Sequence, residues 1–367
     1  MKIALACGGT GGHFFPGLAT AEVLRERGHE VTLWLSGKNV EQMTVKAWNG
    51  PVVTVQSQGF ESRNPVRTVE TILKLGRAMK TCVARMKSDR PNVLLAMGSY
   101  AAVGPVGAAL RLGVPYVLHE SNVYPGRAVA LLSRSARAVA GYFDETRYHL
   151  SRKDINLTGM PLRRDLVVAA QDVAWGPKPG RPFTVLIMGG SKGAETLNDI
   201  GSKAVCMAHL KGHELRVIHL AGEKMCSDIR AAYESAVVDH EVHAFTHNMA
   251  SVYGQADLAL CRAGAATCAE LCLFGMPALL VPYPFATNDH QTANARAMQK
   301  TGAADVVPQK DLSISWLAGY IGTCAQTPQR LEKMHRAAKA RAVPGAAEAL
   351  ASLVEQVGRE GNGKKPR

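Results

Sequence analysis

Aromatic residues are scarce: Phe, Trp and Tyr make up 6% of the 367 residues, and only four are Trp. No stretch approaches the roughly 20 consecutive apolar residues of a membrane-spanning helix, so no such span is expected. The first residues already read as a strand, so no secretory leader is expected. Eight cysteines are present, yet none forms a Cys-x-x-Cys pair or a zinc-like spacing. They read as reduced core thiols of a cytoplasmic protein, not as a disulfide framework. Acidic residues are in deficit as well, 30 Asp and Glu against 43 Lys and Arg, for a formal charge of +13. That excess implies an anionic partner (nucleic acid, an anionic membrane surface or a phosphorylated substrate) or simply a well-solvated surface.

What the chain does have is glycine placed after strands. The apolar run Lys2–Cys7 leads into Gly8-Gly-Thr-Gly-Gly12 and His13, and Thr184–Met188 leads into Gly189-Gly-Ser-Lys-Gly193. Glycines there let backbone N–H groups approach an anion at a helix start. Further buried strands are expected at Val31–Leu35, Val52–Val55, Val93–Met97, Tyr116–His119, Ala138–Gly141, Leu215–Leu220, Val242–Phe245, Leu258–Cys261 and Ala278–Pro282. Helical patterns alternate with them, beginning near Phe15–Arg27 and Val69–Lys87. Such alternation predicts an α/β protein with parallel sheets. Gly113-Val-Pro and Gly275-Met-Pro each precede a strand in corresponding places, so the two halves read as two nucleotide-type domains facing one cleft. The prolines between Gly159 and Pro182 mark the linker. The expected division is 1–160 joined by about 341–357, then 161–340. A last helix is expected at about Ala346–Val357, and the Gly- and Lys-rich residues 358–367 read as a disordered basic tail.

A dinucleotide site is disfavoured, because the loop lacks the G-x-G-x-x-G spacing and the second strand ends Leu35-Ser-Gly37 without a carboxylate. No Walker A motif occurs. In the second half, Arg262-Ala-Gly-Ala-Ala-Thr267 aims another helix start at a phosphate. Glu270 lies one turn beyond Thr267 and reads equally as a ribose ligand or as a first-turn glutamate complementing the helix dipole. The segment Arg63–Arg90 carries eight basic residues around an apolar stripe of Ile72, Leu75, Met79, Val83 and Met86. Most of that stripe has the spacing of a core face, leaving a few residues such as Leu73 to meet a lipid surface within a basic ring.

The segments Gly8–Gly17 (with Gly8-Gly-Thr-Gly-Gly-His13), Leu118-His-Glu-Ser-Asn122, Gly159-Met-Pro-Leu-Arg163, Gly189–Ala194, Cys261–Glu270 and Asp289-His-Gln-Thr-Ala-Asn294 occur in order. Together they resemble the MurG family of peptidoglycan glycosyltransferases, from the first strand to about residue 345. The resemblance implies a GT-B fold: two Rossmann-like domains, with the C-terminal helix crossing back to the N-terminal one. It implies inverting transfer of N-acetylglucosamine from UDP-N-acetylglucosamine to the 4-hydroxyl of the muramoyl sugar of undecaprenyl-diphosphate-linked lipid I, giving lipid II. The first domain would bind the acceptor and the second the donor.

Within that resemblance His13 is the candidate base, since an imidazole accepts a proton near neutral pH; contact with the acceptor diphosphate is its other reading. Glu120 is the alternative base, or a carboxylate that orients His119 or a loop. Thr10, Gly11, Gly12, His13 and Tyr100 would hold the acceptor diphosphate. Arg163, Ser191 and the N–H groups of Ala265, Ala266 and Thr267 would hold the donor diphosphate. Glu270 would hold the ribose, the backbone near Phe245–Met249 the uracil, and Asn122, His290 and Gln291 the sugar. No Asp-x-Asp motif is present, so no metal or other cofactor is expected. The expected setting is peripheral, at the cytoplasmic face of the bacterial inner membrane, on anionic lipid, with cell-wall synthesis proteins as partners and no nucleic acid. The chain departs from the family pattern at Gly98-Ser-Tyr-Ala-Ala102, which lacks one Gly and the Ser, and at Lys192, Glu195 and His290. Competing readings are a lipid galactosyltransferase, a UDP-N-acetylglucosamine 2-epimerase, and a basic nucleic-acid binder, the last without a reader motif.

Overall fold

The computed structural model describes residues 1–37, 48–55, 65–173, 175–176, 180–189 and 195–362, except the side chains of 65–75, 77 and 362. The chain divides into two units, Met1–Arg163 with Val343–Arg367, and Arg164–Ala342. In the first unit, strands β1 (Lys2–Ala6), β2 (Glu30–Leu35), β3 (Val52–Thr54), β4 (Val93–Ala96), β5 (Tyr116–Glu120), β6 (Ala138–Gly141) and β7 (Ile155–Leu157) alternate with helices. The helices are α1 (Gly11–Glu26), α2 (Pro65–Ser88), α3 (Val103–Leu112) and α4 (Arg127–Leu132). All pairings are parallel, in the order β3-β2-β1-β4-β5-β6-β7.

The second unit begins with α5 (Arg164–Asp172), β8 (Phe183–Met188), α6 (Glu195–Leu210), β9 (Leu215–Leu220), α7 (Cys226–Ser235), β10 (Asp239–His243) and α8 (Met249–Gln255). It continues through β11 (Leu258–Cys261), α9 (Ala265–Phe274), β12 (Ala278–Leu280), α10 (His290–Lys300), β13 (Asp305–Val306), α11 (Ile314–Gln326) and α12 (Pro328–Ala340). Its parallel sheet runs β10-β9-β8-β11-β12-β13. In both sheets the order reverses beside the first strand, between β1 and β4 and between β8 and β11. Loops leaving two strands at such a point diverge, and ligands bind there.

Strand alternation sorts the cores. Ile3, Leu5 and Cys7 pack with Phe14, Ala21 and Leu24 of α1 and with Leu350, Val354 and Val357 of the last helix, α13 (Ala346–Asn362). Ala4 and Ala6 face the other way, with Cys82 and Met86 of α2 and Val106 of α3. Because both faces are covered, the strands are continuous apolar runs. The second unit has its own core around Val185, Ile187, Leu197, Val217, Leu260 and Ile321.

Several elements differ from the sequence expectation. Helix α13 runs to Asn362, so residues 358–362 are helical and not a disordered tail; 363–367 lie outside the described residues. The glycines that suggested disorder serve close packing. A Cβ on Gly358 would stand 3.1 Å from Val93 Cγ1, and one on Gly361 2.6 Å from Pro115 Cγ. Polar pins add to that contact: His29 Nε2 to Glu355 Oε1 at 2.8 Å and Arg27 Nη1 to Ser352 Oγ at 3.0 Å. Helix α1 begins at Gly11, not near Phe15, and carries Pro16 inside it. Strand β10 begins at Asp239 instead of Val242; it is an edge strand, and its charged residues suit that position. The short edge strands β7 and β13 leave no apolar run to read.

Candidate active site

At the first switch point, the loop after β1 and the loop after β4 are tied together by Ser99, whose hydroxyl donates to the Gly8 carbonyl. A Cβ on Gly8 would lie 2.5 Å from the Ser36 nitrogen, so only glycine fits. Gly98 has φ +80, and a Cβ there would come 2.9 Å from the His119 carbonyl. The unusual Gly98-Ser-Tyr sequence thus keeps the left-handed glycine and gives Ser99 a tie to the first loop. Tyr100, 46% exposed, follows directly.

Thr10 precedes α1, and His13 is the third helical residue. The first turn has no acidic residue and no side-chain cap, and the first N–H groups of a helix have no intrahelical acceptor. Thr10, Gly11 and Gly12 therefore form a contiguous anion-facing start, while the His13 N–H already donates to the Thr10 carbonyl at 3.0 Å. Thr10 Oγ1 lies 2.9 Å from His13 Nδ1.

Glu120, at the end of β5, has a different occupation from that of a base. It is 4% exposed. Its Oε1 accepts from the Asn122 backbone N–H at 2.9 Å and from Asn122 Nδ2 at 3.1 Å, and its Oε2 accepts from the Gly126 N–H at 3.0 Å. Burial raises its pKa and these donors oppose the rise. Both oxygens are engaged in folding the turn that follows β5, and Asn122 is oriented by the same carboxylate. Glu120 does not orient His119, whose Nε2–H donates instead to the Gly159 carbonyl at 2.9 Å. Arg163 belongs to the first unit, where its guanidinium lies 6.0 Å from the centre of the Phe15 ring.

In the second unit, β11 passes through Arg262-Ala-Gly264 into α9. Ala265, Ala266 and Thr267 are its first three residues, again with no acid in the first turn. Glu270 is the sixth residue, in the second turn, so the first-turn dipole reading does not match its place. Its Oε2 accepts from the hydroxyl of Tyr253 at 2.9 Å. Burial, with the Glu270 carboxylate second, pushes that phenol far above its ordinary pKa. A neutral, buried hydroxyl thus fixes one oxygen of a half-buried carboxylate.

The loop between β12 and α10 holds two successive non-glycine residues in the left-handed region, Asn288 (φ 54) and Asp289 (φ 52). Such local strain persists where surrounding contacts enforce it. Gln291 Oε1 accepts the Tyr283 N–H at 2.9 Å, which leaves the Gln291 amide NH₂ as its donor end. His290 Nδ1–H donates to the Thr287 carbonyl at 2.7 Å. Phe285 is 80% exposed beside Tyr283. Phe245 is exposed too, and Asn248 caps α8 through the Ser251 N–H. Ser191 and Lys192 lie outside the described residues.

Arg262 went unassigned in the sequence reading, although it stands between an apolar strand end and a glycine. It is buried, and its guanidinium donates to the carbonyls of Val281 and Pro282 and to Gln309 Oε1, with Tyr283 stacked 5.5 Å away. Burial lowers its pKa. Its contacts, all neutral, join the loop before α9 to the Tyr283–Gln291 loop.

Comparison with known proteins agrees with this geometry. The glycosyltransferase family 28 N-terminal domain matches residues 3–141 and the family 28 C-terminal domain matches 184–350. A Hahella chejuensis protein is 38% identical over 341 residues, 92% of this chain and 93% of its own. A Bordetella pertussis protein is 38% identical over 359 residues, covering 97% and 98%. Both are named UDP-N-acetylglucosamine–N-acetylmuramyl-(pentapeptide) pyrophosphoryl-undecaprenol N-acetylglucosamine transferase. The crystal structure of MurG from Acinetobacter baumannii superposes with a TM-score of 0.80 at 29% identity, over 97% of this chain and 99% of that one. A putative UDP-N-acetylglucosamine 2-epimerase from Listeria monocytogenes shares the fold, with a TM-score of 0.70 at 11% identity. Two acid-free helix starts, one per parallel-sheet unit, and this near-full-length similarity place the chain in glycosyltransferase family 28, as a member of the MurG family with the GT-B fold.

Proposed function

We propose that the chain transfers N-acetylglucosamine from UDP-N-acetylglucosamine to the 4-hydroxyl of the muramoyl sugar of lipid I, forming lipid II with inversion at the sugar carbon. The observation that carries this reading is the 38% identity over 92% of the chain to a transferase of that name. The start of α1 receives the acceptor diphosphate, through Thr10, Gly11, Gly12 and Tyr100, and His13 takes the proton of the attacking hydroxyl. That oxygen bonds to the sugar carbon from the face opposite the diphosphate. The bond from carbon to the diphosphate oxygen breaks, and UDP leaves with the electron pair.

The start of α9, with Arg163 and Ser191, stabilises the charge on the departing diphosphate. Glu270 accepts from the ribose hydroxyls, while Asn122, His290 and the donor end of Gln291 hold the sugar. Transfer proceeds without a metal, the helix N–H groups and arginine supplying the positive field. Among the described residues no helix is long and apolar enough to cross a membrane. Attachment to the inner face of the bacterial membrane is peripheral, through anionic lipid, near other cell-wall synthesis proteins. Of the apolar stripe on α2, Met79 packs on Gly107 of α3, Val83 joins the core and Met86 is fully buried, as its core spacing predicted. Ile72, Leu73 and Leu75 lie outside the described side chains. Leu110, 46% exposed beside exposed Arg111 on α3, takes their place in the proposal.

The test is a transfer assay with radiolabelled UDP-N-acetylglucosamine, a short-chain lipid I analogue and EDTA. A labelled disaccharide lipid supports both substrates and metal independence. Binding of UDP without transfer to this acceptor overturns the acceptor assignment.

A further inference from the structure

We propose that Thr10 is a positioning residue that selects the tautomer of His13, and that a diphosphate held at the start of α1 enforces the selection; this rests on the reading of His13 as the base. Thr10 has the extended backbone of a helix cap, φ −133 and ψ 163. From that geometry a threonine hydroxyl ordinarily accepts the N–H of the second or third helical residue, a bond worth about 1 kcal/mol. Thr10 makes no such cap. Its hydroxyl instead lies 2.9 Å from Nδ1 of the third residue's own imidazole. The backbone holds the pair in place, because the N–H groups of His13 and Phe14 both donate to the Thr10 carbonyl, at 3.0 and 2.9 Å.

A neutral imidazole can serve as a base or as a donor at Nε2, not both. With the proton on Nδ1, the ring donates to Thr10 Oγ1 and Nε2 carries the lone pair. With the proton on Nε2, the Thr10 hydroxyl donates to Nδ1 and Nε2 can only give a hydrogen bond. The direction of one hydroxyl hydrogen therefore decides which role the ring plays. Thr10 is exposed at the helix start, where an anion would lie. A phosphate oxygen there draws the hydroxyl hydrogen toward itself, since charged acceptors form the stronger hydrogen bonds. The oxygen lone pair then faces Nδ1–H, and Nε2 is left to take the proton of the acceptor hydroxyl. No proton crosses Thr10; its hydrogen bonds only orient the ring. The two readings of His13, base and diphosphate ligand, thereby separate onto two residues: Thr10 meets the anion and His13 meets the hydroxyl. Acceptor recognition and base competence become one event.

The tautomer is read by ¹⁵N NMR of the full chain labelled at histidine, at a pH where the ring is neutral, with the His13 signals assigned by their loss in His13→Gln. Inorganic pyrophosphate is expected to raise the Nδ1–H population of His13. Thr10→Val should abolish that response, and Thr10→Ser should preserve it. Turnover should follow: Thr10→Val lowers kcat by about 10- to 100-fold with KM for UDP-N-acetylglucosamine unchanged, and Thr10→Ser restores it. A His13 ring that stays Nε2–H with pyrophosphate bound overturns the proposal, as does a Thr10→Val ring that responds like wild type. If His13→Gln turns over at the wild-type rate, the base reading fails instead, and the tautomer measurement stands separately from that result.

Discussion

The two units share one strand order over six strands, the first adding β7 at its edge, and spend it differently. In the first, the helix after the first strand presents a histidine at its third position; in the second, the helix after the fourth strand presents only alanine and threonine there. Near the first start stands a ring that can accept a proton. Near the second stand a carboxylate fixed by a buried phenol and a buried arginine that, among the described residues, donates to neutral oxygens. The proposed function thus uses the same frame once for proton transfer and once for holding charge. The difference lies in a few loop residues, because the sheet positions loops without dictating their chemistry.

Removing the proton acceptor should break the comparison most severely. His13→Ala is expected to lower turnover by about 10²- to 10⁴-fold while leaving the dissociation constant for UDP, measured by calorimetry, unchanged. Wild-type turnover would cancel the distinction between the units.

The next effect concerns stability. Each unit buries a histidine: His119 in the first, held near a pKa of about 4 by burial against the help of the Gly159 carbonyl, and His219 in the second, held near about 3 by burial. His219 sits between Tyr233 and Asn198, which engage its two ring nitrogens. The unfolded chain takes up these protons near pH 6.5, above the folded values, so stability falls as pH drops from 6.5 toward 4 and then 3. Each group contributes a slope of at most about 1.4 kcal/mol per pH unit within that window. Urea midpoints measured between pH 7 and 4.5 should flatten in His119→Gln and in His219→Gln; an unchanged slope would place the acid sensitivity elsewhere.

A smaller effect should separate the two anion sites. Ala266→Asp puts a carboxylate at the start of α9 and should weaken UDP binding by about tenfold through repulsion near the helix end. Gly12→Asp should leave UDP binding intact and raise KM for the acceptor. Equal effects of both changes on UDP would remove the division of labour. Smallest of all, Leu110→Glu should reduce cosedimentation with anionic vesicles by a few-fold, with melting temperature unchanged. Unaltered cosedimentation would exclude α3 as the contact.

Much of this was legible in the chain. Continuous apolar runs such as Val93–Ala96 predicted strands buried on both faces, and glycine after Cys7 and after Ala263 predicted helix starts suited to anions. Charge and composition were less informative. Glycines 358 and 361 carried the signature of disorder and proved to be contact points, because composition does not reveal what stands opposite a missing side chain. Glu270 could be read two ways until its helical position was known.

The order and type of the central strands and the helices that follow them, and therefore two parallel-sheet units with acid-free helix starts, were determined by the sequence alone, since local periodicity and glycine act on nearest neighbours. Pairings across long separations were decided by the tertiary structure: Ser99 with Gly8, Tyr253 with Glu270, Arg262 with Gln309, and α13 with α1. Even the short-range choice at Thr10, to face an imidazole instead of capping its helix, depended on where the ring points, and the order of residues carries no record of that direction.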